Sequence, residues 1–169
     1  MKIGILSDTH GRVDAVEAAL AEFGARGVEL IIHCGDIDDA DTVRAFAGWP
    51  MHFVYGNCDW DRVGLRRAID EIGATLHDPF GHLELAGKQI AWLHGDKPGL
   101  MQDLERSEHY DYLFYGHTHV AEQHLSGTTL VVNPGALFRA RQKTCLILDL
   151  PGGGMETVVV RKGPGEWAE

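Results

Sequence analysis

The chain opens with KIGILSDTHG at residues 2–11, an apolar run that passes directly into a polar turn. The apolar part shows no alternation of polar and apolar side chains, which is typical of a strand buried on both faces of a sheet. Apolar residues then recur at helical spacing from Val13 to Phe23, and Gly24 follows as a stop signal. This stretch therefore predicts a strand, a polar loop and a helix, in that order.

The same order of strand, loop and helix recurs twice further along the chain. Residues 30–34 and 52–55 are apolar runs that predict strands. They are followed by predicted helices at residues 42–47, capped by Asp41, and at residues 61–72. Three such units in succession imply a parallel sheet with right-handed crossovers.

From Gly81 onwards the pattern favours antiparallel strands. Residues 83–85 and 89–93 flank Ala86-Gly87-Lys88 as the two arms of a hairpin. A helix is predicted at residues 98–106, with proline in its first turn. Further strands are predicted at residues 112–115, 130–132, 144–150 and 156–161, the last two joined around Pro151-Gly152-Gly153-Gly154.

Length and composition indicate one globular domain. The 169 residues match the size of a single domain, and 44% hydrophobic with 24% charged residues excludes collagen-like, disordered and membrane-spanning classes. We assign residues 1–162 to this domain and residues 163–169 to a C-terminal tail. The 3 cysteines form no CxxC pair, and the N-terminal apolar run is too short for a signal peptide, so we expect a cytoplasmic protein.

The charge balance restricts the partners. Lys and Arg number 15 against 25 Asp and Glu, which gives a net charge of −10. A charge of this sign repels a nucleic-acid backbone and an anionic membrane surface. We therefore expect neither nucleic acid nor membrane as a partner, whereas a homo-oligomer remains open.

Five of the apolar runs end in turns that carry metal-binding residue types. In α/β sheets the carboxyl ends of the strands form the usual binding crevice, so these turns can converge. Together they supply two Asp, one Asn and four His, enough for two divalent cations if one carboxylate bridges them. This ligand mixture favours manganese as first choice, with iron, nickel, zinc or magnesium as alternatives. The turns are Asp8-Thr9-His10-Gly11, Gly35-Asp36, Gly56-Asn57, His94-Gly95 and Gly116-His117-Thr118-His119.

In this order the motifs resemble those of the calcineurin-like metallophosphoesterases, specifically their small bacterial and archaeal branch, from residue 3 to about residue 141. The resemblance implies an α/β fold of two mixed β-sheets packed as a sandwich and flanked by helices. It also implies two metal sites that share Asp36 as a bridge. One site would comprise Asp8, His10, Asp36 and His119, and the other Asp36, Asn57, His94 and His117.

The resemblance further implies metal-dependent hydrolysis of a small phosphoester, with a hydroxide that bridges the two ions as the nucleophile. A phosphodiester is favoured over a phosphomonoester, and the alcohol component is a small molecule or a nucleotide. We expect Asp36, Asn57, His94 and Asp59 to serve the chemistry, Asp59 by orienting a ligand histidine. Two alternatives remain: a non-catalytic scaffold of the same fold that binds proteins, and a nuclease, against which the negative charge counts.

Two positions depart from the family's pattern. Cys58 follows Asn57 where many members have a histidine that can protonate the leaving group, and a thiol is a poorer acid at neutral pH. Ala136 stands where serine is common, shortly before Arg139 and Arg141. We predict that these two arginines bind a phosphate oxygen of the substrate; the alternative is ordinary solvated surface charge.

The other histidines lack a motif context. We interpret His33 as a buried histidine that supports the site rather than a ligand. We interpret His52, His77, His82, His109 and His124 as surface or structural residues.

Overall fold

The computed structural model describes residues 1–161, so the predicted tail at residues 163–169 lies outside the described residues. The helices are α1 (Val13–Ala25), α2 (Ala40–Arg44), α3 (Arg62–Glu71) and α4 (Pro98–Arg106). The strands are β1 (Lys2–Leu6), β2 (Leu30–His33), β3 (Met51–Val54), β4 (Thr75–His77), β5 (Gly81–Leu85), β6 (Lys88–Trp92), β7 (Tyr112–Phe114), β8 (Glu122–Ser126), β9 (Thr129–Asn133), β10 (Thr144–Asp149) and β11 (Gly154–Val159). Within this part of the chain, every helix is too short or too polar to span a bilayer.

The first sheet has the strand order β11-β10-β1-β2-β3-β4. Strands β1 to β4 run parallel to one another, which confirms the parallel sheet predicted from the repeated strand, loop and helix units. Strand β10 pairs antiparallel with β1, and the β10–β11 hairpin completes the sheet as predicted. Strand β4 was not predicted, because its three residues are too few to show a pattern.

The second sheet has the strand order β5-β6-β7-β9-β8. The predicted β5–β6 hairpin is confirmed. The expectation of antiparallel pairing throughout this half is wrong, because β6, β7 and β9 run parallel. The chain returns through α4 between β6 and β7 and through β8 between β7 and β9, so these three strands begin at the same end of the sheet. Strand β8 was also missed, since its side chains are mostly exposed and show no apolar run.

Three apolar clusters hold the layers together. Successive strand residues point to opposite faces, so Ile5 packs between the two sheets while Leu6 packs under α1, α2 and α3. In the second sheet Trp92 enters the layer between the sheets, whereas Ala91 packs under α4 with Leu104. Both sheets are therefore covered on both faces, and the predicted sandwich of two mixed sheets flanked by helices is confirmed.

Two helix ends differ from the prediction. Helix α2 is capped by Asp39, whose side chain accepts a hydrogen bond from the backbone N–H of Thr42 at 2.8 Å, and not by Asp41. Helix α1 runs to Ala25, past Gly24. Gly27, with φ +71, takes the left-handed conformation after this helix.

Candidate metal centre

The five polar turns of the sequence meet at one edge of the sandwich. Backbone hydrogen bonds join them: Asp8 N–H donates to Gly35 O at 3.0 Å and His10 N–H donates to Asp36 O at 3.1 Å. In the second sheet, Gly116 N–H donates to His94 O at 2.9 Å. The carboxyl ends of strands from both sheets therefore contribute to a single site.

Within residues 1–161, three overlapping groups of side chains could each hold a cation, and two of them consist entirely of predicted ligands. Ligand atoms of Asp8, His10 and His119 lie within 4.8 Å of one another, and so do those of Asp8, Asp36 and His94. The Asp36 Oδ2 atom lies 3.5 Å from His10 Nε2 and 3.3 Å from His94 Nε2. Asp8 therefore belongs to both groups, and the Asp36 carboxylate faces one histidine of each.

His117 and Asn57 lie at the rim. The His117 side chain is exposed and belongs to no ligand group within residues 1–161, although its ring centroid lies 5.1 Å from that of His94. Its backbone N–H donates to Asp8 Oδ2 at 3.1 Å. The Asn57 Oδ1 atom lies 3.0 Å from His94 Nε2. Both side chains therefore stand next to the Asp36 and His94 group.

The surroundings of His94 indicate whether a cation fits here. Its Nδ1 donates to the carbonyl oxygen of Cys34 at 2.9 Å, which leaves Nε2 as an acceptor in the neutral ring. Yet Nε2 faces two oxygens, Asn57 Oδ1 and Asp36 Oδ2. Two oxygens and an imidazole lone pair in contact need a proton or a cation between them, and this donor set suits a first-row divalent metal.

Without metal, a proton on His94 occupies this position. Burial acts to lower the pKa of His94, but the hydrogen bond and the charge of Asp36 outweigh it and raise this pKa to about 9. Burial acts to raise the pKa of Asp36, but His94 and the Cys58 N–H hold it well below its usual range. The bond to Asp8 raises the pKa of His119. The His94 imidazolium thus compensates the charge of the Asp36 carboxylate where a cation would otherwise do so.

The surroundings of His10 are also those expected of a metal ligand. Within residues 1–161 its Nε2 atom is buried without a hydrogen-bond partner, while its Nδ1 lies 3.2 Å from Asp38 Oδ2. A carboxylate on one ring nitrogen orients a histidine so that the other nitrogen can bind metal. Asp38 therefore contacts a candidate ligand.

The backbone of the site is strained. Left-handed conformations of non-glycine residues cost on the order of 1–3 kcal/mol each and persist where the surrounding contacts impose them. The cross-linked turns supply such contacts, and the strain is concentrated at the predicted ligands. Positive φ angles occur at Asp8 (54), His10 (44), Asp36 (57), Asp38 (77), His117 (69) and His119 (60).

Asp59 acts differently from the prediction. Its buried carboxylate accepts backbone N–H groups from Gly56 at 2.6 Å, Ile37 at 2.8 Å, Asp38 at 2.9 Å and Asp36 at 3.1 Å. These hydrogen bonds leave it holding the turn that carries Asp36, and the prediction that it orients a ligand histidine is wrong. The spacing of two residues from Asn57 suggested the wrong partner, because the chain folds back on the preceding loop.

Cys58 lies next to the carboxylate of Asp36. Its backbone N–H donates to Asp36 Oδ1 at 2.8 Å, and its sulfur groups with ligand atoms of His10 and Asp36 within 4.8 Å. Burial and the charge of Asp36 raise the pKa of this thiol to about 11. The thiol therefore stays protonated at neutral pH.

Supporting residues come from both sheets. His33 is fully buried; its Nδ1 accepts from Gly35 N–H at 3.1 Å and its Nε2 lies 3.0 Å from Thr9 Oγ1, in accord with a supporting role. Burial lowers its pKa to about 3. Asn133, which sequence reasoning left without a role, donates to Gly116 O at 2.8 Å and to Thr118 Oγ1 at 3.1 Å. Its place at the end of β9, before Pro-Gly, was the available signal.

His52 and His77 pair with each other, Nδ1 to Nε2 at 3.0 Å, against the ring of Trp92. Among the described residues, neither belongs to a ligand group. This pairing agrees with their interpretation as structural residues.

We expect Gly56→Ala to lower the thermal midpoint of unfolding by about 6 to 9 °C. A Cβ atom at Gly56 would overlap Asp36 Oδ1 and its backbone N, and overpacking of this kind costs roughly 2–3 kcal/mol. Calorimetry on the metal-free protein measures the shift. Gly99→Ala in α4 is the matched control, because a Cβ there meets nothing within 4 Å. Equal midpoints for the two variants would contradict the close approach of these turns.

Comparisons with known proteins agree with this geometry. A family model described as the calcineurin-like phosphoesterase superfamily domain matches residues 1–153. Phosphodiesterase MJ0936 of Methanocaldococcus jannaschii is 32% identical over 138 residues, which cover 80% of this chain and 83% of that protein. Probable metallophosphoesterase YsnB of Bacillus subtilis is 31% identical over 144 residues, which cover 81% of this chain and 75% of that protein.

The likeness extends to three dimensions. A solved structure described as a novel archaeal phosphodiesterase superposes with a TM-score of 0.87 at 30% identity, and the match covers 94% of this chain and 99% of that one. The matched part of the chain includes every turn that contributes to the candidate metal centre.

Proposed function

Because this chain belongs to the calcineurin-like phosphoesterase superfamily, we propose that it is a phosphodiesterase that hydrolyses small phosphodiesters with two divalent cations. The observation that carries the proposal is the position of Asp36, whose Oδ2 lies within 3.5 Å of the Nε2 atoms of both His10 and His94. A carboxylate placed between two imidazoles can bind two cations at once, as a two-metal hydrolytic site requires.

The ligands divide into two sets that share Asp36. We assign Asp8, His10, Asp36 and His119 to one cation and Asp36, Asn57, His94 and His117 to the other. The assignment of His117 requires its exposed side chain to turn inward, since its ring already lies beside that of His94. Imidazole with carboxylate and amide oxygens favours manganese, with iron, nickel, zinc or magnesium as alternatives.

When bound, the cations supply Lewis acidity toward a phosphoryl oxygen and lower the pKa of water at the site, so that water becomes the nucleophile. The protein's part is to hold the donor atoms in place. The Cys34 carbonyl fixes the ring of His94, Asp38 fixes that of His10, and Asp59 holds the turn of Asp36. Such orienting contacts are worth about 10- to 100-fold in metal affinity.

The group that can protonate the leaving alcohol is a weak acid, the Cys58 thiol. The Cys58 thiol is protonated and lies beside Asp36, where the leaving oxygen can approach it. Its pKa near 11 makes it a poor proton donor to an alkoxide at the transition state, because proton transfer is most effective when the donor's pKa is near the working pH. Esters with acidic leaving groups, such as phenols, should therefore react best.

The test is hydrolysis of bis(4-nitrophenyl) phosphate by the metal-depleted and the reconstituted protein. We expect no release of nitrophenolate after chelation and a return of activity when manganese is added, with two equivalents bound by mass spectrometry. A monoester assayed in parallel decides between diester and monoester preference. Folded, metal-loaded protein without activity on any ester in the presence of Mn, Ni, Co, Mg or Zn would contradict the proposal and favour the scaffold alternative.

A further inference from the structure

The arginines of this acidic protein fall into two groups. Arginine side chains that pair with carboxylates within 4.0 Å are already compensated and are poor candidates for ligand binding. Arg139 and Arg141 differ, since within residues 1–161 neither has a carboxylate partner, and both are exposed. The paired residues are Arg12, Arg26, Arg44, Arg62 and Arg66.

Arg139 and Arg141 both border the same groove. Its volume is about 440 Å³, and its lining includes His119 of the candidate metal centre. Val120, Ala121 and Ala140 contribute apolar side chains to its lining. The groove therefore continues the metal centre with a surface that suits an organic group, and two guanidinium groups stand at its border.

Arg139 is held in position relative to the metal centre. Its guanidinium carbon lies 5.0 Å from the ring centroid of Phe138, and that ring lies 5.0 Å from the ring of His10. Its backbone has φ +44, a conformation that a non-glycine residue adopts only when its neighbours impose it. A guanidinium stacked on an aromatic ring loses less freedom on binding an anion than one on a free side chain.

We infer that this groove receives an organic group attached to the scissile phosphate, and that this group carries a further negative charge. The inference rests on the proposed function and narrows its substrate to a phosphodiester with a second anionic group, a carboxylate or a phosphate, on an alcohol component. The two arginines bind this second group. The sequence-based prediction that they bind a phosphate oxygen of the substrate then applies where this second group is itself a phosphate.

The experiment compares two symmetric diesters. Because the two ester groups of each diester are identical, the same group enters the groove in either orientation of the substrate. Bis(3-carboxyphenyl) phosphate carries the additional charge, and bis(3-carbamoylphenyl) phosphate is its neutral counterpart of similar size. The double variant Arg139→Ala/Arg141→Ala should raise KM for the carboxylate diester about tenfold, the effect of two partly exposed ion pairs, with kcat unchanged. For the carbamoyl diester both constants should stay as in the parent protein.

The control is Arg67→Ala/Arg106→Ala, which removes two exposed arginines that have no carboxylate partner among residues 1–161 and do not line the groove. It should leave both diesters unaffected. Calorimetric binding of the product 3-carboxyphenyl phosphate should weaken by the same factor in the groove variant and should weaken further as ionic strength rises. Binding of the same product with a phosphonate in place of its carboxylate shows whether the groove prefers a doubly or a singly charged group.

The outcomes separate the two proposals. Hydrolysis of the carbamoyl diester by the groove variant at the parent rate shows that the fold and the phosphodiesterase activity are intact. Equal loss for the charged and neutral diesters, or no loss for either, would overturn the inference about the second anionic group. Failure of the parent protein to hydrolyse any diester would instead contradict the proposed function.

Discussion

Asp36→Ala is expected to lower phosphodiester hydrolysis by on the order of 10³-fold or more, because it removes the carboxylate that lies between His10 and His94. Its loss also removes negative charge that draws cations to these two histidines. We therefore expect bound metal to fall below two equivalents per chain. Mass spectrometry of the desalted protein and the rate on bis(4-nitrophenyl) phosphate measure the two effects.

Asp41→Ala is the matched control, since Asp41 is an exposed aspartate of α2 whose side chain pairs with Arg44 at the surface. It should keep full activity and two bound cations. Asp36→Asn separates the effect of the negative charge from that of the side chain's shape. It removes the charge but retains an oxygen that can accept from Cys58 N–H. Full two-metal occupancy in Asp36→Ala would disprove the bridging assignment.

Asp59→Ala is expected to destabilise the metal-free protein by roughly 4 kcal/mol or more, equivalent to about 12 °C in the thermal midpoint. The substitution leaves four backbone N–H groups without their acceptor, at Gly56, Asp36, Ile37 and Asp38, in a site that is only 3% exposed at Asp59. Buried donors without a partner each cost about 1–3 kcal/mol. Metal affinity should fall about 10- to 100-fold as the Asp36 turn loosens.

Asp61→Ala provides the comparison for this effect. Asp61 caps α3 by accepting from Gly64 N–H at 2.9 Å, and loss of such a cap costs about 1 kcal/mol. Asp59→Asn keeps one acceptor oxygen and should fall between the two. If Asp59→Ala melts no lower than Asp61→Ala, the carboxylate does not support the turn.

The first half of the fold could be predicted because its signals are local. Apolar runs such as residues 30–34 lie in the middle of a sheet, buried on both faces, and each is followed by a helix at a short distance along the chain. A parallel sheet is then the only arrangement that brings such strands together with right-handed connections. The parallel strands at the centre of the first sheet follow from this part of the pattern.

The second half depends on contacts between distant residues. Strand β8 is exposed and carries no periodic signal, and it becomes a strand only because β9 offers an unpaired edge. The parallel pairing of β7 with β9 depends on where the intervening chain can pass, which local propensity does not determine. The hairpin β5–β6 was predictable, since its turn is local.

At the candidate site, the sequence by itself determined the chemistry on offer: polar residues of metal-binding type at the ends of five apolar runs. Only the tertiary structure decided which partner each of these side chains contacts. It placed Asp36 between His10 and His94, turned Asp59 toward four backbone N–H groups and stacked Arg139 on Phe138. The reason is physical: residue type and spacing set which side chains a strand end can present. The partner of each side chain depends on how loops from two sheets pack within a few ångströms, which no local pattern encodes.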